Sequence, residues 1–247
     1  MADTFIDIHS SVHTIRSGVF PWNVSFGHEF VDRTKGSKAN TVIDLCAGTG
    51  HLGITVAEAI GAKKVILIES DPITCKIAKD IWRNYEAEGI LVINADILRP
   101  PLAYSAQSLV VSNPPHAPLP NSFRSWRNVY GGEDGLLFVR AIFHWLLNCE
   151  GPTLFFVSTY LVSQKVEVSK KDILEALNME DPGVKNIYHF QEPMWRWRNV
   201  EENNPGCSER VFAWYLDYCQ HKEKERFLKF KKNHPYTHHI LIEGERK

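Results

Sequence analysis

The stretch Thr41-Val42-Ile43-Asp44-Leu45-Cys46-Ala47-Gly48-Thr49-Gly50-His51-Leu52-Gly53 decides the fold. A short β-rich run over 41–45 enters a glycine-rich turn, and residues 51–60 continue as a helix-length apolar run. Gly48 and Gly50 carry no Cβ to obstruct a flat ligand or a positive φ. The first turn of the helix offers backbone N–H groups that have no partner within the helix. Gly53 lets the helix lie tight against the strand. The unit reads as a strand, a close-approach turn and a helix, arranged to hold a ligand at the carboxyl end of the strand.

Downstream, β-rich runs alternate with helical ones. Strands are expected at 41–45, 65–69, 91–94, 109–112 and 154–158, with two more at 186–190 and 211–216. Helices are expected at 51–60, 72–86, 133–148 and near 172–177; Pro72 suits a first helical turn. This alternation predicts an α/β chain with a doubly wound, mostly parallel seven-stranded sheet and helices on both faces. Residues 1–40 show no clear periodicity and are expected to form an N-terminal segment or lid. Residues 41–220 form the main domain. Residues 221–247 read as a charged C-terminal extension: a solvated helix over 221–234 and a final short strand at 239–242.

At 247 residues the chain suits one α/β domain with a small appendage. Its 44% hydrophobic and 23% charged residues are ordinary for a folded globular protein. A net charge of −1 provides no global field to attract nucleic acid. The five cysteines, Cys46, Cys75, Cys149, Cys207 and Cys219, include no CxxC pair, and their odd number suits reduced thiols. Cys207, Cys219 and His221 lack metal-ligand spacing, so no metal is expected. The start of the chain carries Asp3 and Asp7 rather than a basic head followed by an apolar run, unlike a secretory signal. The apolar stretch 136–147 is interrupted by Arg140 and His144 and is too short to span a bilayer. A cytoplasmic location with no membrane partner is expected.

Three acids fall at the ends of the first three strands. Asp44 closes the first, where a carboxylate suits an amino group and would face a pyrophosphate unfavourably. Glu69 closes the second, about twenty residues past the glycines, where its paired acceptors suit two ribose hydroxyls. Asp96 follows the third, placed to accept a bond from an adenine amino group. Cys46 in the turn, Ser70 beside Glu69 and Ile97 beside Asp96 complete the candidate cofactor wall with Gly48, Gly50 and Asn113. The glycine pattern alone also fits a dinucleotide, which keeps a nicotinamide-dependent oxidoreductase open as a remote reading.

The fourth strand runs into Val111-Ser112-Asn113-Pro114-Pro115-His116. A nitrogen attached to a π system has a delocalised lone pair and is a poor nucleophile. Two acceptors that hold its hydrogens would turn the lone pair outward. Asn113 can supply a side-chain oxygen and Pro114 its backbone carbonyl. Consecutive prolines hold such a loop extended without N–H groups that would compete for the acceptors. Direct transfer of an activated group then needs little beyond alignment, and no metal or covalent nucleophile.

With Asp44-Leu45-Cys46-Ala47-Gly48-Thr49-Gly50 and Tyr130-Gly131-Gly132-Glu133-Asp134-Gly135-Leu136, this loop resembles the HemK or PrmC-like class I methyltransferases over roughly residues 18–160. The resemblance implies a Rossmann-like class I methyltransferase fold and S-adenosyl-L-methionine as cofactor. It assigns cofactor contacts to Asp44, Gly48, Gly50, Glu69 and Asp96, and the gripping of the amino group to Asn113 and Pro114. In that family the Asn-Pro-Pro-aromatic motif binds the amide of a protein glutamine, and relatives act on amino groups of nucleobases. His116 departs from the usual aromatic residue, which leaves it as a smaller platform, an acceptor or a base, or as a plain loop residue. The family's release-factor enzymes also carry an N-terminal recognition domain, for which the forty residues before the first strand are too few.

Further substrate contacts are expected from Phe20 and Trp22 in an aromatic segment punctuated by glycine and proline, and from Trp195 and Trp197 in an aromatic-basic run. The lysine-rich run 222–232 contains Glu223 and Glu225 and reads first as a solvated face. The chain is therefore expected to methylate a nitrogen. The target is a protein glutamine or a nucleic-acid amino group, with a small amine of specialised metabolism as the alternative. A catalytically silent, cofactor-binding subunit is a further alternative.

Overall fold

The computed structural model describes residues 2–6, 12–16, 24–83, 89–99, 108–117, 119–125, 127, 130–148, 153–160, 168–193, 228–231 and 234–246. Strands β1 (Ala2–Ile6) and β2 (Val12–Arg16) form an antiparallel pair. Helix α1 (Val24–Thr34) precedes β3 (Thr41–Leu45), α2 (His51–Ile60), β4 (Lys64–Glu69), α3 (Pro72–Trp82), β5 (Ile90–Asn94) and β6 (Ser108–Ser112). Then come α4 (Leu137–Leu147), β7 (Thr153–Tyr160), α5 (Lys170–Leu177), β8 (Val184–Pro193), β9 (Leu228–Lys231) and β10 (His234–Arg246).

The main sheet has the order β5-β4-β3-β6-β7-β10-β8. Strands β5, β4, β3, β6 and β7 run parallel, while β10 is antiparallel to both β7 and β8. Strand β9 pairs with the first residues of β10. The chain progresses outward from β3 in one direction through β4 and β5, and in the other through β6 and β7. This reversal opens a crevice at the carboxyl ends of β3 and β6, the usual ligand position in doubly wound sheets. The register sets Leu45 level with Ile68 and Ser112, so the loops after β3, β4 and β6 rise from one edge.

The sheet is covered on both faces, which is why its central strands read as continuous apolar runs. Ile43, Leu45, Val110 and Phe155 pack with Val139, Ile142 and Phe143 of α4 and with Ile173 of α5. Val42, Leu67, Leu109 and Phe156 pack on the opposite face with α1, α2 and α3. Two helices carry side-chain N-caps: Asp71 accepts the Thr74 N–H ahead of Pro72, and Ser169 with Asp172 makes a capping box.

Three expectations are corrected. The segment before β3 holds α1, whose Phe30 and Val31 are buried against the α2 side of the core. Too few apolar positions mark that helix for its period to stand out. The charged extension carries the short strand expected at 239–242, but as part of a longer strand within the main sheet. Residues 228–231 form β9 instead of a solvated helix, and β10 enters between β7 and β8 with Ile240, Leu241 and Ile242 buried. The charges flanking that apolar triplet are paired at the sheet margin: Glu245 with Lys185, Glu243 with Asn186 and Tyr188, and Arg246 with the Leu146 carbonyl at 2.9 Å. The seventh position of the sheet is therefore filled by β10; the strand expected at 211–216 lies outside the described residues. No helix among the described residues is long and apolar enough to cross a membrane.

Candidate active site

A cavity of about 440 Å³ opens at the crevice edge, and its wall includes Asp44, Cys46, Gly48, Glu69, Ser70, Asp96, Ile97 and Asn113. The strand ends thus bring together the acids read from sequence. Asp44 is buried, and its Oδ2 accepts the Gly53 N–H at 2.8 Å. Burial, opposed by that bond and aided by the nearby Glu69 charge, pushes the Asp44 carboxyl up to about 8. An arriving ammonium group would reverse this and draw the proton off.

Glu69 spans two loops. Its Oε2 accepts the Gly48 N–H at 2.9 Å and its Oε1 the Asp71 N–H at 2.8 Å. Oε1 also accepts the Ser70 hydroxyl at 3.4 Å, and Oε2 keeps a further acceptor site. Asn94 braces the loop from below, donating to the carbonyls of Glu69 at 3.0 Å and Ser70 at 2.9 Å. Asp96 is exposed; it caps its own loop through the Leu98 N–H at 2.9 Å while forming part of the cavity wall. Cys46 adopts a left-handed conformation at φ 59°. Burial and the charges of Glu69, Asp44 and Asp96 hold its thiol well above the usual range, which removes it as a nucleophile.

Gly50 is not part of the cavity wall. It starts α2 with φ 87°, and a Cβ there would stand 2.3 Å from Leu67 Cδ1, so glycine is required by packing beneath the turn. Sequence reasoning missed the anchor above it: the Trp82 ring N–H donates to the Thr49 carbonyl at 2.6 Å, and Thr49 Oγ1 lies 2.8 Å from His51 Nδ1. It also missed Arg124, Arg127, Tyr130 and Phe138, which line the cavity from the chain after β6. No periodic signal marks Arg124, Arg127 and Tyr130, which reach the site from an irregular segment, whereas Phe138 lies in the first turn of α4.

The reaction loop is held from three sides. Asn113 Oδ1 accepts the Ser158 hydroxyl at 2.7 Å, and Ser112 Oγ donates to the Leu45 carbonyl at 2.6 Å. The segment from Tyr130 is zipped to the loop through Gly131 N–H to the Ala117 carbonyl at 2.8 Å and Leu119 N–H to the Gly132 carbonyl at 2.9 Å. A Cβ on Gly131 would meet the His116 backbone at 2.6 Å, so the double glycine allows this close approach. Asn113 and Pro115 line the cavity, whereas Pro114 and His116 do not. The His116 ring donates to the Pro114 carbonyl and stands edge-on to His239, centroids 5.4 Å apart. His116 is therefore turned toward the sheet and is not the expected substrate platform. Phe20, Trp22, Trp195 and Trp197 lie outside the described residues.

Residues 14–124 match the methyltransferase small domain family model. Over those residues, less than half of the chain, it is similar to the methyltransferase small domain. It is 31% identical over 111 residues to the release factor glutamine methyltransferase of Mycolicibacterium smegmatis, covering 41% of this chain and 38% of that protein. It is 29% identical over 119 residues to the 4-amino-L-phenylalanine/4-methylamino-L-phenylalanine methyltransferase of Streptomyces pristinaespiralis, covering 44% and 39%. The matches thus span about two fifths of each of these relatives. The fold is shared with the YcgJ protein of Bacillus subtilis, at 11% identity and TM-score 0.60, over 91% of this chain and 99% of that one.

The residues of the domain's cavity fit S-adenosylmethionine and not a dinucleotide. Gly48 directs its N–H to Glu69 instead of leaving it for phosphate, and Glu69, Asp71 and Asp96 would repel a pyrophosphate. Together with Asp44 these acids suit an ammonium group, ribose hydroxyls and an adenine amine. Among the described residues no group of three metal-ligating side chains occurs.

Two predictions arise from this packing. A Cβ on Gly53 would stand 2.7 Å from Asp44 Cβ, so Gly53→Ala is expected to cost about 1–3 kcal/mol by overpacking. Chemical denaturation should show a lower midpoint and calorimetry a weaker cofactor isotherm. Burial, partly opposed by the Pro114 carbonyl, lowers the His116 pKa to about 3. The unfolded chain then takes up a proton near pH 6.5 that the folded domain refuses. Stability from this group is complete above pH 6.5 and declines as pH falls toward 3, by about 1–2 kcal/mol between pH 7 and 5. His116→Gln should flatten that acid-side slope in thermal melts; an unchanged slope would contradict the assignment.

Proposed function

We propose that the protein is an S-adenosylmethionine-dependent N-methyltransferase that transfers a methyl group in line to an amino or amide nitrogen. The reading is carried by one observation: Asn113 at the end of β6 lies in the same cavity wall as the strand-end acids of β3 and β4. Bound S-adenosylmethionine would supply an electrophilic methyl group. Asp44 would hold an ammonium group, Glu69 the ribose hydroxyls and Asp96 the adenine amine, as the match of their chemistry supports. Asn113 Oδ1 would take a hydrogen of the acceptor nitrogen, turning its lone pair outward and stabilising charge as it develops there, while the Pro114 carbonyl, outside the cavity wall, holds the His116 ring. A protonated Cys46 and a neutral His116 leave no covalent nucleophile or general acid in the loop.

The acceptor in this reading is a protein glutamine or a nucleic-acid amino group, as the match to a release factor methyltransferase supports. A small amino acid is the second reading. It is favoured by the similarity to an aminophenylalanine methyltransferase, and by Arg124 and Arg127, two exposed cavity-lining guanidiniums that would meet a carboxylate. Tritiated methyl donor incubated with cell-lysate fractions separates the two. Label in protein or nucleic acid supports the first, and label confined to low-mass material supports the second. No enzyme-dependent label in any fraction would dismiss both. Calorimetric titration with S-adenosylmethionine and with a nicotinamide dinucleotide tests the cofactor, and binding of the dinucleotide alone would reverse the assignment.

A further inference from the structure

The side chain assigned to grip the reacting nitrogen is itself held. Ser158, fully buried in β7, lies one residue beyond the Ser112–Val157 register pair and so stands level with Asn113. Its hydroxyl is 2.7 Å from Asn113 Oδ1 and 3.4 Å from the Ser112 carbonyl. A serine has one proton to donate, and the nearer oxygen takes it. A buried hydroxyl is costly unless bonded, and Ser158 follows three buried apolar residues, Phe155, Phe156 and Val157.

We propose that Ser158 is a positioning residue for methyl transfer, which sets the amide of Asn113 so that its oxygen and not its nitrogen serves the acceptor amine; this rests on the role given to Asn113 above. The terminal torsion of asparagine is broad and roughly two-fold, so packing alone scarcely separates the two amide orientations. They differ in chemistry. With Oδ1 fixed by Ser158, one acceptor site remains for a hydrogen of the incoming nitrogen. With the amide reversed, Nδ2 would present hydrogens to hydrogens. Ser158 favours the first state before the acceptor arrives, because with the amide reversed its oxygen would accept from Nδ2 and its proton would be left to the more distant Ser112 carbonyl, at 3.4 Å; the Ser112 hydroxyl, committed to the Leu45 carbonyl, does not compete for Asn113. No bond is made or broken at Ser158.

The test uses the full chain, tritiated methyl donor and the lysate fraction that the wild-type protein labels. Ser158→Ala is expected to slow turnover ten- to a hundredfold with the acceptor KM and the calorimetric affinity for S-adenosylmethionine unchanged. Ser158→Thr, which keeps the hydroxyl, should recover most of the loss. Ser158→Cys, close in volume but a weak donor, should resemble the alanine variant and serves if that variant folds poorly. The double variant Ser158→Ala/Asn113→Ala should be no slower than Asn113→Ala alone, because the two act as one unit. A slow Asn113→Ala beside a fully active Ser158→Ala, or effects that multiply in the double variant, would overturn the proposal while leaving the site reading intact. A fully active Asn113→Ala would overturn both.

Discussion

Replacing Asp44 by asparagine is expected to make the free protein more stable and the cofactor complex weaker. Asp44 is buried with a carboxyl pKa of about 8, and its one backbone bond, from Gly53, needs only a neutral acceptor. Its folded pKa lies above the unfolded value near 3.9. The stability linked to this group is therefore complete below pH 4, and it is lost as pH rises through about 8. At neutral pH that loss is on the order of a few kcal/mol. The asparagine amide would accept the same N–H without a titrating charge, so the midpoint of thermal unfolding at pH 7 to 8 should rise and its decline from pH 4 to 8 should flatten. Affinity for S-adenosylmethionine should fall by about 1.5 to 3 kcal/mol, the worth of a charge-assisted bond. Wild-type binding should also release a proton near pH 7 and none above pH 9, read by calorimetry in buffers of different ionisation enthalpy. A variant that loses stability and keeps cofactor affinity would show that Asp44 is a structural carboxylate.

Asn113→Ala should have the opposite signature. Asn113 stands at the cavity wall after β6 and is not among the acids proposed to hold the cofactor. Its loss removes an acceptor used as charge develops on the nitrogen, so transfer should slow by about 3 to 4 kcal/mol, on the order of 100- to 1,000-fold. Cofactor affinity should change little. Single-turnover labelling measures the first quantity and calorimetry the second. Unchanged transfer would remove Asn113 from the chemistry, and equal loss of cofactor binding would place it in the cofactor site instead.

Most of the cofactor wall was legible before any coordinates. Asp44, Glu69 and Asp96 sit where β-rich runs end, and in a parallel sheet every such end lies on one edge. Gly48 was read for a positive φ, and its φ is 56°; that its N–H reaches Glu69 was not foreseen. Gly50 was read for a partly wrong reason, because the Leu67 side chain beneath it, not a ligand above it, excludes a Cβ. The Tyr130–Leu136 motif was recognisable but its role was not: Gly131 lies against His116, fifteen positions earlier in the chain, and no local rule foretells which backbone a glycine will touch. His116 was left open between a substrate contact, an acceptor or base, and a plain loop residue. Its position in the motif points to the substrate, whereas its ring turns to the Pro114 carbonyl and His239.

By itself the amino-acid sequence determined the alternation of strands and helices, the doubly wound sheet and the acids at its strand ends. All of these follow from interactions between residues close together in the chain. Only the tertiary structure decided that the charged C-terminal segment ends as β10 between β7 and β8, that Arg124 and Arg127 reach the cavity, and that Ser158 meets Asn113. Those outcomes depend on register between strands and on loop paths, which join positions 45 residues apart in the case of Ser158 and Asn113. Such pairings are selected by burial and hydrogen-bond satisfaction over the whole domain, a quantity that no short window of sequence contains.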